Sequence, residues 1–203
     1  MHIAEGVLKP EILVSGWAIG GAALAYSFYK LQTSEIPKTA ALSALFFLAS
    51  FVHIPIGFGA SAHLILSGFI GAFLGHSAIA AIGSALFLQG VLFSFGGVTT
   101  FGVNLCALSF PALLGFVLAR AALSKFAAKP APRRVLLFLA GATPIFLGAF
   151  LLSIILALNG EGFIAPAAAA FGAHIVIALA EGAITLLAIE FILRARPAIL
   201  GAK

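Results

Sequence analysis

The chain is built of long apolar runs with no strict alternation inside them. The runs fall at about 11–29, 38–55, 62–79, 80–95, 101–123, 134–158 and 168–193, and glycine, proline or charge marks the breaks. A membrane strand would alternate over roughly ten residues, and these runs do not. About 20 apolar residues cross a bilayer as a helix. The pattern therefore predicts an all-α integral membrane protein, a bundle of seven transmembrane helices, or six, since the third and fourth runs are short and adjoining. Residues 1–203 then form a single transmembrane domain with almost no soluble part.

Composition agrees: 63% of residues are hydrophobic, 8% are charged and the mean hydropathy is +1.21, far from a soluble domain. Cys106 stands alone inside an apolar run, which rules out a disulfide framework or thiolate cluster and reads as a small buried hydrophobe. The isoelectric point near 9.8 does not imply nucleic acid, because topology explains where the basic residues sit. Lys30 and Lys38 flank the first loop, Arg120, Lys125, Lys129, Arg133 and Arg134 fill the fifth, and Arg194, Arg196 and Lys203 follow the last run. The positive-inside rule puts all three clusters in the cytoplasm, with the N-terminus outside and the C-terminus cytoplasmic. Glu5 without Lys or Arg in the first eight residues does not suit a signal peptide. His2 is too large for ordinary methionine removal, so Met1 is expected to stay.

On this map His2 and His63 reach the external face and His174 lies about two turns inside the last helix from that face. His53 ends the second helix, and His76 falls in a short cytoplasmic connection as a solvated loop residue. The Pro/Gly-broken stretch from His53 to His63 reads as a helix end followed by a new helix with Ser61 as its N-cap. A free α-amine, the His2 amide nitrogen and His2 Nδ1 can close five- and six-membered chelate rings on one divalent ion. A fourth nitrogen, from His63, would complete a planar site suited to Ni(II) or Cu(II), with Co(II) also accessible. The bland alternatives are a frayed terminus and a packing histidine. Glu181, in the middle of the last run, shares a helix face with His174 and Thr185. That strip either orients the metal-site loops through Asn104 and Gln89 or holds helices together. Glu190 and Arg194 read as a surface pair. Gly16 with Gly20, and Ala40 with Ala44, offer small-residue stripes for a partner helix or for packing within the bundle.

Several separated motifs now carry a resemblance. They are Met1-His2-Ile3 with Glu5-Gly6, Ala60-Ser61-Ala62-His63-Leu64, Leu88-Gln89-Gly90, Gly96-Gly97-Val98-Thr99-Thr100-Phe101-Gly102-Val103-Asn104, and His174 through Glu181 to Thr185. In these, and in their order, the chain resembles the CbiM/NikM family, the substrate-binding subunits of cobalt/nickel energy-coupling factor transporters. The resemblance implies a seven-helix bundle whose terminus folds into its own pocket, with metal held by Met1, His2 and His63. Ser61, Gln89, Thr99, Asn104, His174 and Glu181 would surround that site. It also implies nickel or cobalt as transported substrate, no organic cofactor, and location in the cell (inner) membrane of a prokaryote. The implied partners are a transmembrane coupling subunit, two ATPase subunits and often a small accessory membrane protein. Departures at Ala60, Ala62, Gly57 and His53 leave these ligands in place but affect their surroundings. No Gly-x-x-x-x-Gly-Lys-[Ser/Thr] phosphate loop is present, so ATP hydrolysis falls to other chains. Two other readings stand beside this one: an intramembrane metalloenzyme, which lacks a His-Glu-x-x-His motif, and a bundle binding a vitamin-type substrate.

Overall fold

The computed structural model describes residues 2–57 and 60–200, with side chains left undescribed at 53–57, 60–62, 197 and 198. Seven α-helices lie among these residues: α1 Pro10–Lys30, α2 Ile36–Ala49, α3 Ser67–Leu74, α4 Ser77–Phe93, α5 Phe101–Ser124, α6 Pro130–Ala157 and α7 Ile164–Ala195. A two-stranded antiparallel ribbon, β1 His53–Gly57 and β2 Ala60–His63, joins α2 to α3. By length and composition, α1, α5, α6 and α7 can each cross a membrane. The outer faces of the bundle carry exposed apolar side chains such as Val14, Leu179, Leu187 and Phe191, the surface a lipid solvent requires.

The second and third runs differ from expectation. α2 stops at Ala49, and the apolar residues after it pair as the ribbon, with His53 opposite His63 and Pro55 opposite Ser61. Ser61 is therefore a strand residue and caps no helix, because α3 starts six residues later behind Leu66, whose φ is 60°. The run showed continuous hydrophobicity, and continuous hydrophobicity does not separate a buried strand from a helix. α3 itself has 8 residues and ends at Gly75, where φ is 56°.

So short a helix is held by protein on its flanks. A Cβ on Gly71 would stand 1.9 Å from the Ala112 carbonyl of α5, and one on Gly68 would stand 2.4 Å from the Ala140 carbonyl of α6. Backbone contact of this kind is how small residues fasten helices where lipid provides no hydrophobic drive. The Gly16/Gly20 stripe is used the same way, since a Cβ on Gly102 of α5 would lie 2.5 Å from the Gly16 carbonyl. That stripe belongs to the α1–α5 contact. Ala40 and Ala44 stay exposed beside a depression of about 410 Å³ between α1, α2 and α4.

Glu190 pairs across helices rather than along its own. Its carboxylate takes a two-pronged contact from Arg133 of α6, at 2.9 Å and 3.2 Å, and Arg133 also donates to the Ala127 carbonyl. From the facing helix the Arg133 guanidinium meets the carboxylate with two N–H groups at once, the two-pronged geometry that makes such pairs strong. His76 sits exposed between α3 and α4, its carbonyl accepting the Ser27 hydroxyl at 2.8 Å.

Gly71→Val should therefore lower the midpoint of thermal unfolding in detergent micelles, by the equivalent of about 1–3 kcal/mol or more. Gly172→Ala, where an added Cβ meets nothing within 4 Å, should leave the midpoint unchanged or slightly raised.

Candidate metal site

Ahead of α1, residues 2–9 run back into the end of the bundle and are held at three levels. Asn104, one turn into α5 and nearly fully buried, makes a two-point match to the backbone of Ile3. Its Oδ1 accepts the Ile3 amide at 2.9 Å, and its Nδ2 donates to the Ile3 carbonyl at 3.1 Å and to Thr100 Oγ1 at 3.3 Å. Next, the Glu5 amide donates to the Gly96 carbonyl at 3.0 Å, and both Glu5 carboxylate oxygens lie 3.3 Å from the Thr99 amide. An anion there also complements the N-terminal end of α5. Last, Asn159, in the turn between α6 and α7, accepts the Lys9 amide at 2.8 Å and donates to the Val7 carbonyl. Ile3 and Leu8 are buried in the core on either side of Gly6, whose φ of 77° makes the bend.

This course needs the loop after α4 to come close. Ser94 ends α4 with φ 56°, which turns Phe95 back so that its amide reaches the Gln89 carbonyl. Gly96 follows with φ 81°, and a Cβ there would stand 2.9 Å from Asn104 Nδ2 and 3.7 Å from His2 Cβ. At Gly97 a Cβ would overlap the Glu5 carboxylate. Two adjacent glycines are what let the tail lie against this loop.

The result places His2 beside His63. Their rings stack with centroids 5.3 Å apart and planes 18° from parallel, and Phe95 lies on His2 at 6.5 Å. His63 Nδ1 is 2.9 Å from the Leu64 carbonyl, which calls for the proton on Nδ1 and leaves the lone pair on Nε2. Gln89 is fully buried against the His2 ring without a well-formed hydrogen bond. His2 Nε2 and both Gln89 amide atoms are buried with no hydrogen-bond partner among the described residues. Burial holds the His2 imidazole well below its ordinary pKa, so it is neutral and can donate a lone pair.

His2, His63 and His174 all line a cavity of about 640 Å³. His174 Nδ1 contacts the Ala170 carbonyl at 2.7 Å, and its Nε2 is buried with no partner among the described residues. Glu181, fully buried on α7, accepts the amides of Ile65 and Leu66, the latter at 2.8 Å. Its carboxylate thereby ties α7 to the start of α3, just after His63. A carboxylate with no water available is best satisfied by the unpaired amides at a helix start. Thr185 is buried on the same helix with Oγ1 unpartnered among the described residues. Thr99 is exposed and contributes its backbone. Met1, residues 58 and 59, and the side chains of His53 and Ser61 lie outside what is described. Among the described residues no three His, Cys, Asp or Glu side chains converge on one point.

Residues 2–199 match the family described as CbiM, cobalt uptake substrate-specific transmembrane region, and the chain belongs to that family. It is similar to a putative metal transport protein of Haemophilus influenzae, 43% identical over 123 residues that cover 61% of this chain and 59% of that one. A putative fused nickel transport protein of Archaeoglobus fulgidus is 28% identical across 100% of this chain and 69% of its own length. Cobalt transport protein CbiM 1 of Pelobacter propionicus is 34% identical over 60% of this chain and 59% of its own. The fold is shared with the crystal structure of a truncated transition metal transporter at TM-score 0.74 and 24% identity, covering 96% of this chain and 99% of that one.

Asn104 and the two glycines before it were legible as motif residues, whereas Asn159 was missed and Glu5 was seen as part of a motif without a role. Glu5 had a readable signal in its place beside Gly6, opposite Gly96-Gly97. Asn159, just before Gly160, had none beyond turn chemistry.

Asn104→Asp keeps the acceptor for the Ile3 amide but sets a carboxylate oxygen against the Ile3 carbonyl. It should release the tail at a cost of about 1–3 kcal/mol, seen as faster hydrogen exchange at the Ile3 and Glu5 amides with little change in the helices. Acid should act similarly. Because the seated His2 has a depressed pKa, seating is at full strength above the ordinary imidazole value of about 6.5 and weakens as pH falls below it. Amide protection of residues 3–8 that stays constant from pH 7.5 to 5 would contradict this.

Proposed function

We propose that the chain is the substrate-binding membrane subunit of an ATP-driven uptake transporter for nickel or cobalt. The Met1 amine, the His2 amide and imidazole nitrogens and His63 hold the ion. What supports this most is the seating of His2 against His63, with the tail fixed by Asn104, Glu5 and Asn159 over a cavity large enough to admit a substrate. A tail bound at three levels is costly to order and is unexplained by packing alone. The relatives named for metal, nickel and cobalt transport favour the same class of substrate.

In this reading the ion arrives from outside, where the N-terminus lies. It displaces protons from the amine and the amide, meets imidazoles that are already neutral, and is carried inward when partner subunits reorient the bundle. Those partners are a transmembrane coupling subunit, two ATPase subunits that supply the energy, and a small accessory membrane protein. In this reading the seven helices form one membrane bundle, with α3 and the ribbon as broken elements surrounded by protein rather than lipid and His63 of the ribbon on the cavity wall. The exposed Ala40/Ala44 face of α2 is suited to close contact with the coupling subunit. Amide-nitrogen donors and planar geometry favour nickel over cobalt.

Adding two residues ahead of Met1 turns the amine into a peptide nitrogen and lengthens the tail. Calorimetric titration should then show nickel affinity at least about 100-fold weaker, while a tag after residue 203 should change nothing. Equal affinity with and without the extension would dismiss the chelating terminus, and no nickel binding by either would favour the vitamin-type alternative.

A further inference from the structure

We infer that His174 is a capture ligand, a nitrogen that takes hold of an incoming, partly hydrated divalent transition-metal ion in the cavity and passes it to the His2/His63 end. The inference rests on the proposed chelate and adds a first station to it.

Size is the first argument. A divalent ion with six waters occupies roughly 180 Å³ at about 30 Å³ per water. The cavity of about 640 Å³ can therefore take the ion with its shell, far more room than a dehydrated ion in a closed chelate needs. Its lining is the second. Val7, Leu152, Leu156 and Phe163 provide apolar walls, so the polar points at which a hydrated ion can anchor are few, and His174 and Ser153 are among them.

The state of the ring is the third argument. His174 Nδ1 at 2.7 Å from the Ala170 carbonyl calls for an Nδ1–H donor, so Nε2 carries the lone pair. Metal-binding imidazoles have this arrangement as a rule, one nitrogen tied to a carbonyl and the other presented to the ion, and His63 has it too through Leu64. His174 Nε2 is buried with no hydrogen-bond partner among the described residues, a costly condition for a nitrogen that only packs. Among the described residues His174 does not group with His2 and His63 into a three-side-chain site, which suits a contact made with the ion apart from that pair. Sequential contact fits this geometry: one water of the ion is exchanged for Nε2, and then Nε2 and the remaining waters are exchanged for the chelate nitrogens. Both steps are ligand substitutions with no redox change, and the protons released come from the tail nitrogens.

The test is stopped-flow nickel association and dissociation on the whole chain in nanodiscs, with nothing added ahead of Met1, comparing the parent with His174→Ala, His174→Gln and His2→Ala. Because His174 does not hold the seated ion, both His174 variants should lower the association and dissociation rate constants together, each by about tenfold or more, leaving the equilibrium affinity within about twofold of the parent. A merely structural role would instead speed dissociation, and that result, or association at the parent rate in His174→Gln, overturns the inference. Binding lost in His2→Ala together with parent association in the His174 variants overturns this step alone. Binding kept in His2→Ala overturns the chelate, and this inference with it.

Discussion

Everything at the functional end of the molecule depends on one pairing, the side-chain amide of Asn104 against the main chain of Ile3. The amide reproduces what a neighbouring strand would offer, one acceptor and one donor at the right spacing, inside a protein where water is not available to substitute. Losing it would leave a buried amide and a buried carbonyl unpaired, each worth about 1–3 kcal/mol. His2 stands beside His63 because the residue after it is fixed this way. Gly96 and Gly97 are required for the same reason, since any side chain there would occupy the space of Asn104 or Glu5.

The other half of the pair is positioned from the opposite side. Glu181 on α7 holds the amides of Ile65 and Leu66, and the Leu64 carbonyl sets the tautomer of His63. α7 also carries His174 two turns earlier. One long helix thus touches both the cavity and the support of a proposed ligand, while α5 supports the other through Asn104. A shift of α7 relative to α5 would separate His2 from His63, and in the proposed transport cycle such a shift would release the ion with no change in the side chains themselves.

The helices were legible because lipid-facing segments must be continuously apolar, and α1, α5, α6 and α7 lie close to the runs read from the sequence. The segment from Ser50 to Leu66 was not, because a strand and a short helix enclosed by other helices are as apolar as a lipid-facing span. Gly68 and Gly71 marked the close approach to α5 and α6, but glycine alone does not say whether the neighbour is within the chain or outside it. The histidines and Asn104 were recognisable as a group from their motifs. Their partners were less so: Glu190 turned to Arg133 and Glu181 to the start of α3, since a buried carboxylate takes whichever donors the three-dimensional packing leaves unpaired. Asn159 joined the site from 150 and 152 positions away, a distance no local pattern spans.

The central claim is that main-chain nitrogens at the start of the chain, with His2 and His63, form the coordination shell of the captured ion. Nickel K-edge X-ray absorption on the loaded chain, with nothing preceding Met1, measures that shell directly. It should show four nitrogen donors in a planar arrangement, with one imidazole lost in His63→Ala. A six-coordinate shell dominated by oxygen, unchanged by that substitution, would contradict it.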